Sequence, residues 1–371
     1  MRVLVVDDSA FMRRAISRML DNADGIEVVG LAKNGREAIE MAKKLRPEVI
    51  TLDVEMPEMD GLTALRRIMS ECPTPVVMCS SLTTAGSRAA LQALKLGAVD
   101  VVAKDSSQIS LKIMDLENDL VAKVRIAAKS RIRVKGRMTR PGGGAPGGSR
   151  GAGGVVESKP APTRLPSFHP SRVGLVVIGS STGGPPVVES ILSALPGDFC
   201  APVVVAQHMP RLFTESLASR LDERCRVTVV HAESGMRLEN SHVYILPGGL
   251  HGRVMRGVGG RLVFDISEKP TDAIYKPSVN ELMASAGKAV GKRALGVMLT
   301  GMGEDGLKGA HELVRLGGTL LAQNEETCVV YGMPKAVTQA GLVEASLAPG
   351  QLAQVLRPLR GGGCAPTRAA G

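Results

Sequence analysis

The sequence predicts an α/β protein built from two doubly wound units, and three observations point there. Short apolar runs alternate with helical patterns. Several of those runs end in a carboxylate, a hydroxyl or an ammonium. A basic, Gly/Pro-rich stretch divides the chain. At 371 residues the chain is too long for one ordinary domain. The boundaries read as residues 1–122 for a first unit, 123–172 for a linker and 173–371 for a second unit.

The formal charge of +10 invites a nucleic-acid or membrane-surface reading until it is located. Residues 1–122 carry net −3, residues 123–172 net +11 and residues 173–371 net +2. The excess therefore belongs to the linker. Residues 141–170 contain eight Gly and six Pro, too little apolar surface to offset the entropy of ordering. Aromatics make up only 2% of the chain, which argues against base-stacking platforms. Six cysteines show neither a CxxC pair nor zinc spacing, so free thiols in a reducing compartment are expected. No apolar run approaches membrane-spanning length, and VLVV breaks at Asp7. A cytoplasmic protein is expected.

The first unit opens with RVLVV (2–6), an apolar run suited to a strand buried on both faces. A helical pattern follows over 11–20, a strand over 26–32, a helix over 35–45, a strand over 48–53 and a helix over 61–70. Strands at 75–80 and 99–104 flank a helix at 85–95, and a long helix begins near 108. Right-handed crossovers place every strand C-terminus of such a sheet on one edge. That edge then gathers Asp7, Asp8, Asp53, Ser80 and Lys104. Taken singly, each has a plain reading, since acids and hydroxyls at strand ends often cap the next helix. Together, three carboxylates repel unless a cation sits among them, and oxygen-only ligands suit Mg²⁺. One carboxylate is then placed to accept a phosphoryl group, with metal and lysine neutralising the added charge.

VVDDS, LDVEMPEMDGL, VVMCSS and LGAVDVVAK make residues 1–122 resemble the receiver domain of two-component response regulators. The resemblance implies a (βα)5 fold with Asp53 as phosphoacceptor and a histidine kinase as phosphodonor. It implies a Mg²⁺ site of Asp7, Asp8, Asp53 and the Glu55 backbone carbonyl, with Ser80 and Lys104 as phosphate switch. Two positions depart from the family pattern. Val101 stands where an aromatic is usual, so the signal is expected to leave by another route. Asp105 stands where Pro is usual.

The second unit starts with RVGLVVIGSSTGGPP (172–186), which reads as a buried strand, a Gly/Ser turn and a helix start. A dinucleotide loop lacks its G-x-G-x-x-G and its ribose-binding acid, and a P-loop lacks its Gly-Lys-Ser/Thr. Two readings stay open, a plain turn or a nucleophile at Ser181 within Gly179–Gly183, which fits G-x-S-x-G. Of six histidines, His169 falls in the linker and His311 in a helical pattern. His231 and His242 flank strands, and His251 follows a Pro-Gly-Gly turn. Only His208 ends a strand (202–207) that should share an edge with Ser181. ALGVMLT (294–300) runs into Gly301–Gly306, where Asp305 is either an orienting acid or a helix N-cap. The same turn offers backbone N–H groups of the kind an oxyanion hole requires.

The chain order Ser, His, Asp is not that of the α/β-hydrolases. IGSSTGG, AQHMP, YILPGG, KPSVN, VMLTGMGEDG and AQNEETCVVYGMPKAV resemble the CheB family of chemotaxis protein-glutamate methylesterases. That resemblance implies a doubly wound, mainly parallel esterase domain with catalytic Ser181, His208 and Asp305. It also implies an oxyanion donor at the Met302 N–H and a supporting hydroxyl at Thr182. It implies hydrolysis of glutamate methyl esters on chemoreceptor helices, deamidation of receptor glutamines, and no cofactor for that step. Membrane contact would be indirect, through the receptors. Glu304, Asn280 and Lys276 depart from the usual Asn, Asp and Arg, and Glu304 is expected to face solvent. A transcriptional regulator with a helix-turn-helix is the rival in outline, but strand–helix alternation and net +2 in 173–371 oppose it. A non-catalytic adaptor is the other rival, and Ser181→Ala separates it.

Overall fold

The computed structural model describes residues 1–104, 113–130, 165–166, 172–271 and 273–359, with side chains of the fifth helix from residue 116. In the first unit β1 (Arg2–Val6), β3 (Val49–Asp53) and β4 (Val76–Ser81) are almost wholly buried, as their unbroken apolar runs require. β2 (Glu27–Ala32) and β5 (Asp100–Lys104) form the edges, giving the parallel order β2-β1-β3-β4-β5. Helices α1 (Ala10–Asp21), α2 (Gly35–Leu45), α3 (Gly61–Glu71) and α4 (Thr84–Leu96) each begin at a side-chain cap: Ser9, Asn34, Asp60 and Thr83.

α5 spans Ile113–Lys129 and so continues beyond the boundary expected at 122. Lys123, expected to open the linker, instead turns inward. Its ammonium donates to the Val101 carbonyl at 2.7 Å and pairs with Asp119 at 2.8 Å. A helix propagates while its apolar face finds a partner, and Leu120, Val124 and Ala127 are buried against the sheet. Residues 131–164 and 167–171, with His169, and Asp105 lie outside the described residues.

The second unit contains β6 (Leu175–Ser180), α6 (Gly184–Leu192), β7 (Val203–Gln207), α7 (Arg211–Asp222), β8 (Thr228–His231) and β9 (His242–Ile245). An antiparallel hairpin, β10 (His251–Arg256) and β11 (Leu262–Ser267), precedes α8 (Val279–Val290) and β12 (Ala294–Met298). The chain closes with α9 (Leu307–Arg315), β13 (Thr319–Gln323), α10 (Met333–Gln339), β14 (Ala345–Leu347) and α11 (Pro349–Leu356). Seven strands run parallel in the order β14-β13-β12-β6-β7-β9-β8. The order reverses between β6 and β12, as it does between β1 and β3 in the first sheet. Both crevices at these reversals are natural ligand sites.

The two units share an apolar cluster that includes Leu91 and Leu94 of α4 and Phe213 and Leu217 of α7. Around it Ser87 bonds Ser216 at 2.5 Å, Lys95 pairs with Glu189, and Asp100 accepts a hydrogen bond from Thr182. Among the described residues no helix is long and apolar enough to cross a membrane.

Candidate active sites of the two units

On the first sheet's C-terminal edge, oxygens of Asp7, Asp8 and Asp53 all lie within 4.8 Å of one another. Lys104 reaches Asp53 at 2.6 Å and Asp7 at 3.1 Å. Burial pushes the Asp53 carboxyl up to about 6 against the pull of Lys104, and the neighbouring Asp7 charge adds to the rise. Crowded, half-desolvated oxygens of this kind fit a hard divalent cation. Glu55 lines the adjoining cleft with Asp8 and Asp60. Ser80 is buried and donates to the Gly86 carbonyl at 2.9 Å, so its hydroxyl is tied to α4.

On the second sheet Ser181 follows β6, His208 follows β7 and Asp305 follows β12, three neighbouring strands. The turn after β6 is pinned from several sides. The Ser181 N–H donates to Thr300 O, Gln207 Nε2 donates to Ser181 O, and Thr300 Oγ1 donates to Thr182 O, each at 2.9–3.0 Å. Gly183, at φ +73°, makes a bend that a side chain would strain. Gly301 allows the β12 turn to approach, since a Cβ there would sit 2.8 Å from Ser181 Cβ.

His208 Nε2 and Asp305 Oδ2 are 2.9 Å apart. Asp305 also accepts from Ser278 Oγ at 3.0 Å, Val279 N at 2.7 Å and Asn280 N at 3.2 Å. Burial alone would raise the Asp305 carboxyl. The His208 bond and charge and the two amides outweigh it and hold the carboxyl below the ordinary range. Of the two sequence readings of Asp305, the cap is present with one change, and the His208 contact is the geometry that the other calls for. The helix it caps is α8, not the α9 that follows it. Asn280 of α8 returns the cap, accepting from Gly306 N and Gly309 N at 3.0 and 2.8 Å. Glu304 is exposed, as expected.

His208 Nδ1 is buried with no partner among the described residues. It lines, with Ser181, a cavity of about 20 Å³, room for one water. Asp100, Val101 and Lys123 of the first unit line the same cavity. Thr182 is the residue that meets Asp100. Met302 is partly exposed on the β12 turn.

A receiver-domain profile matches residues 3–114, and a profile described as CheB methylesterase matches residues 176–356. A protein-glutamate methylesterase/protein-glutamine glutaminase of Oleidesulfovibrio alaskensis is 50% identical over 96% of this chain and 98% of its own. The chain belongs to the CheB methylesterase family. A second CheB-family relative, from Nitratidesulfovibrio vulgaris and of the same description, is 49% identical over 92% of this chain and 94% of its own. The CheB methylesterase catalytic domain of Thermotoga maritima is 40% identical, covering 50% of this chain and 98% of that one, with a TM-score of 0.49.

Within this CheB-family fold, sequence reasoning missed the residues that hold the site together. Thr300, Gln207, Ser278 and His251 are polar residues that the structure buries with partners. Their only signal was an uncharged polar residue inside an otherwise apolar element. Tyr275 had none, because the loop before α8 is irregular. Its ring stacks on that of His208, with centroids 4.5 Å apart and planes 2° apart.

Proposed function

We propose that the chain is a receiver-controlled serine hydrolase that demethylates glutamate methyl esters, and deamidates glutamines, on chemoreceptor helices for chemotactic adaptation. The observation that carries the reading is the Asp305–His208 bond on the edge where Ser181 sits, with the other imidazole nitrogen left to act as base.

In this reaction Ser181 Oγ attacks the ester carbonyl while His208 Nδ1 takes its proton. Asp305 fixes the imidazole through Nε2 and stabilises the imidazolium that forms. The Met302 N–H supports the oxyanion, and Thr182 is a supporting hydroxyl at the site, released from Asp100 when the receiver uncovers the cleft. The C–O bond to methoxide breaks, His208 returns the proton, and methanol leaves. Water then hydrolyses the acyl-enzyme through the same histidine, giving glutamate and free Ser181. For glutamine the leaving group is ammonia. These steps use no metal residue of the first unit.

Asp53 accepts the phosphoryl group from a histidine kinase. Asp7, Asp8, Asp53 and the Glu55 carbonyl would hold Mg²⁺, which supplies charge neutralisation to the phosphoryl oxygens when bound. Ser80 and Lys104 read the new group. Unphosphorylated, the receiver covers the esterase cleft through Asp100, Val101 and Lys123; phosphorylation shifts the population toward an uncovered state.

The test is methanol release from methylated receptor membranes. Wild type should release methanol and gain rate with a phosphodonor. Ser181→Ala should release none, and Asp53→Ala should stay at the basal rate. Equal release by wild type and Ser181→Ala would sink the catalytic assignment and leave an adaptor.

A further inference from the structure

We propose that Tyr275 is a positioning residue for His208, fixing the plane of the imidazole and stabilising its cationic form. The proposal rests on His208 being the base, as argued above.

An imidazole on a Cβ–Cγ bond has one soft rotation, and the Asp305 bond restrains only one edge of the ring. The Tyr275 ring lies parallel over the imidazole face, so turning the imidazole would drive it into the phenol ring. Two constraints, one at the edge and one on the face, leave Nδ1 as the single edge directed elsewhere. Nδ1 is also the buried atom with no partner among the described residues.

The support under Tyr275 is itself braced. The Gly249 N–H donates to the Lys276 carbonyl at 3.1 Å, and the Ser278 N–H donates to His251 Nδ1 at 3.2 Å. With Nδ1 accepting, the His251 proton is on Nε2, which faces the Pro270 carbonyl at 3.0 Å. The fully buried His251 therefore fastens both ends of the loop that presents Tyr275. A Cβ added at Gly303 would lie 3.4 Å from the Tyr275 hydroxyl, so the phenol also reaches the turn that carries Met302 and Asp305.

The chemistry follows from the face that is offered. During attack His208 becomes a cation, and the π face of a phenol attracts a cation where an aliphatic side chain does not. Among the described residues, the charged groups around the stacked pair are Asp305 on the imidazole edge, Asp100 and Lys123 of the receiver across the cavity, and Asp119, which pairs with Lys123 and acts on Tyr275. Leucine at 275 keeps the apolar cover and those charges but removes the π face.

The experiment uses the full chain with saturating phosphodonor and methylated receptor membranes. Tyr275→Leu should lower kcat by about 3- to 30-fold with KM unchanged. The acid limb of its rate profile should move to lower pH, because the imidazolium has lost support. Tyr275→Phe should restore both values. Should Tyr275→Leu fold poorly, Tyr275→Met is read in its place, with Asp53 phosphorylation as the check on folding. Wild-type kcat in the Leu or Met variant, a change in KM alone, or a Phe variant as defective as the Leu variant would overturn the proposal. Ser181→Ala keeps the two readings apart. If it retains activity, the base assignment falls. If it is inactive while Tyr275→Leu matches wild type, only the role of Tyr275 falls.

Discussion

Asp305 accepts from a histidine, a serine hydroxyl and two helix amides at once. Its charge thus serves both the His208 imidazole and the start of α8. Asp305→Asn keeps the shape but cannot accept from all of these and favours the wrong imidazole tautomer. Its kcat should drop on the order of 10⁴-fold, and stability should fall by about 1.5–3 kcal/mol. Methanol release and thermal unfolding measure the two effects. Were the rate lost with no change in melting, the capping role assigned here would be wrong. His251 shows a second kind of polar residue. Burial lowers its pKa, with Pro270, Glu281, Lys276 and Arg253 as its nearby polar and charged groups. Its folded-state pKa lies below the unfolded value, so the unfolded chain binds the proton more readily. The stability it contributes is present above about pH 6.5 and is lost as pH falls through the folded value. Tm should decline from pH 8 to 5 more steeply in wild type than in His251→Gln; parallel curves would contradict this.

At the scale of elements, much was legible because parallel strands buried on both faces write themselves as apolar runs. β1, β3, β4, β6, β7 and β12 were read that way, and which residues gather at their ends followed from topology. The end of α5 was not legible, since Lys123 looks like the first residue of a basic stretch and only the fold supplies Val101 O and Asp119. The exchange of caps between α8 and α9 was hidden for the same reason. Asp305 and Asn280 sit in different motifs and meet only in three dimensions. Close approach is the other thing that sequence hides. Gly301 reads as one more glycine of a turn, yet a Cβ there would be 2.3 Å from Met333 Sδ and 2.8 Å from Ser181 Cβ. Gly301→Ala must push the β12 turn away from Ser181. A displacement near 1 Å costs roughly 100-fold in rate, so kcat should fall by about that much, with Asp53 phosphorylation intact. An Ala variant with wild-type kcat would show that the turn has slack.

For the whole molecule, the interface joins an apolar cluster to a few polar clasps. Glu189 gathers Lys95 from the receiver and Arg220 and Arg224 from its own unit. Asp100 meets Thr182 beside Ser181. Burial raises the Asp100 carboxyl against the pull of Lys123 and the Thr182 bond, so this is a desolvated contact and its loss should be felt. A hydrogen bond to a charged group contributes about 1.5–3 kcal/mol, equivalent to about tenfold or more in the closed-to-open ratio. Asp100→Ala should therefore raise basal methanol release by about tenfold, without raising the rate under saturating phosphodonor. Basal activity that stays at the wild-type level would mean that Asp100 is not part of the closure.

β5 begins at Asp100, against Thr182 of the second unit, and ends at Lys104, against Asp53. Under the proposed function, the brake and the sensor are thus opposite ends of one strand about 13 Å long. A geneticist collecting constitutive and silent alleles would find both in five consecutive codons. Alleles at the Asp100 end release the esterase and still accept phosphate; alleles at the Lys104 end stay shut and no longer read the signal. Neither trait can drift far without the other, because they share a backbone too short to be cut in two.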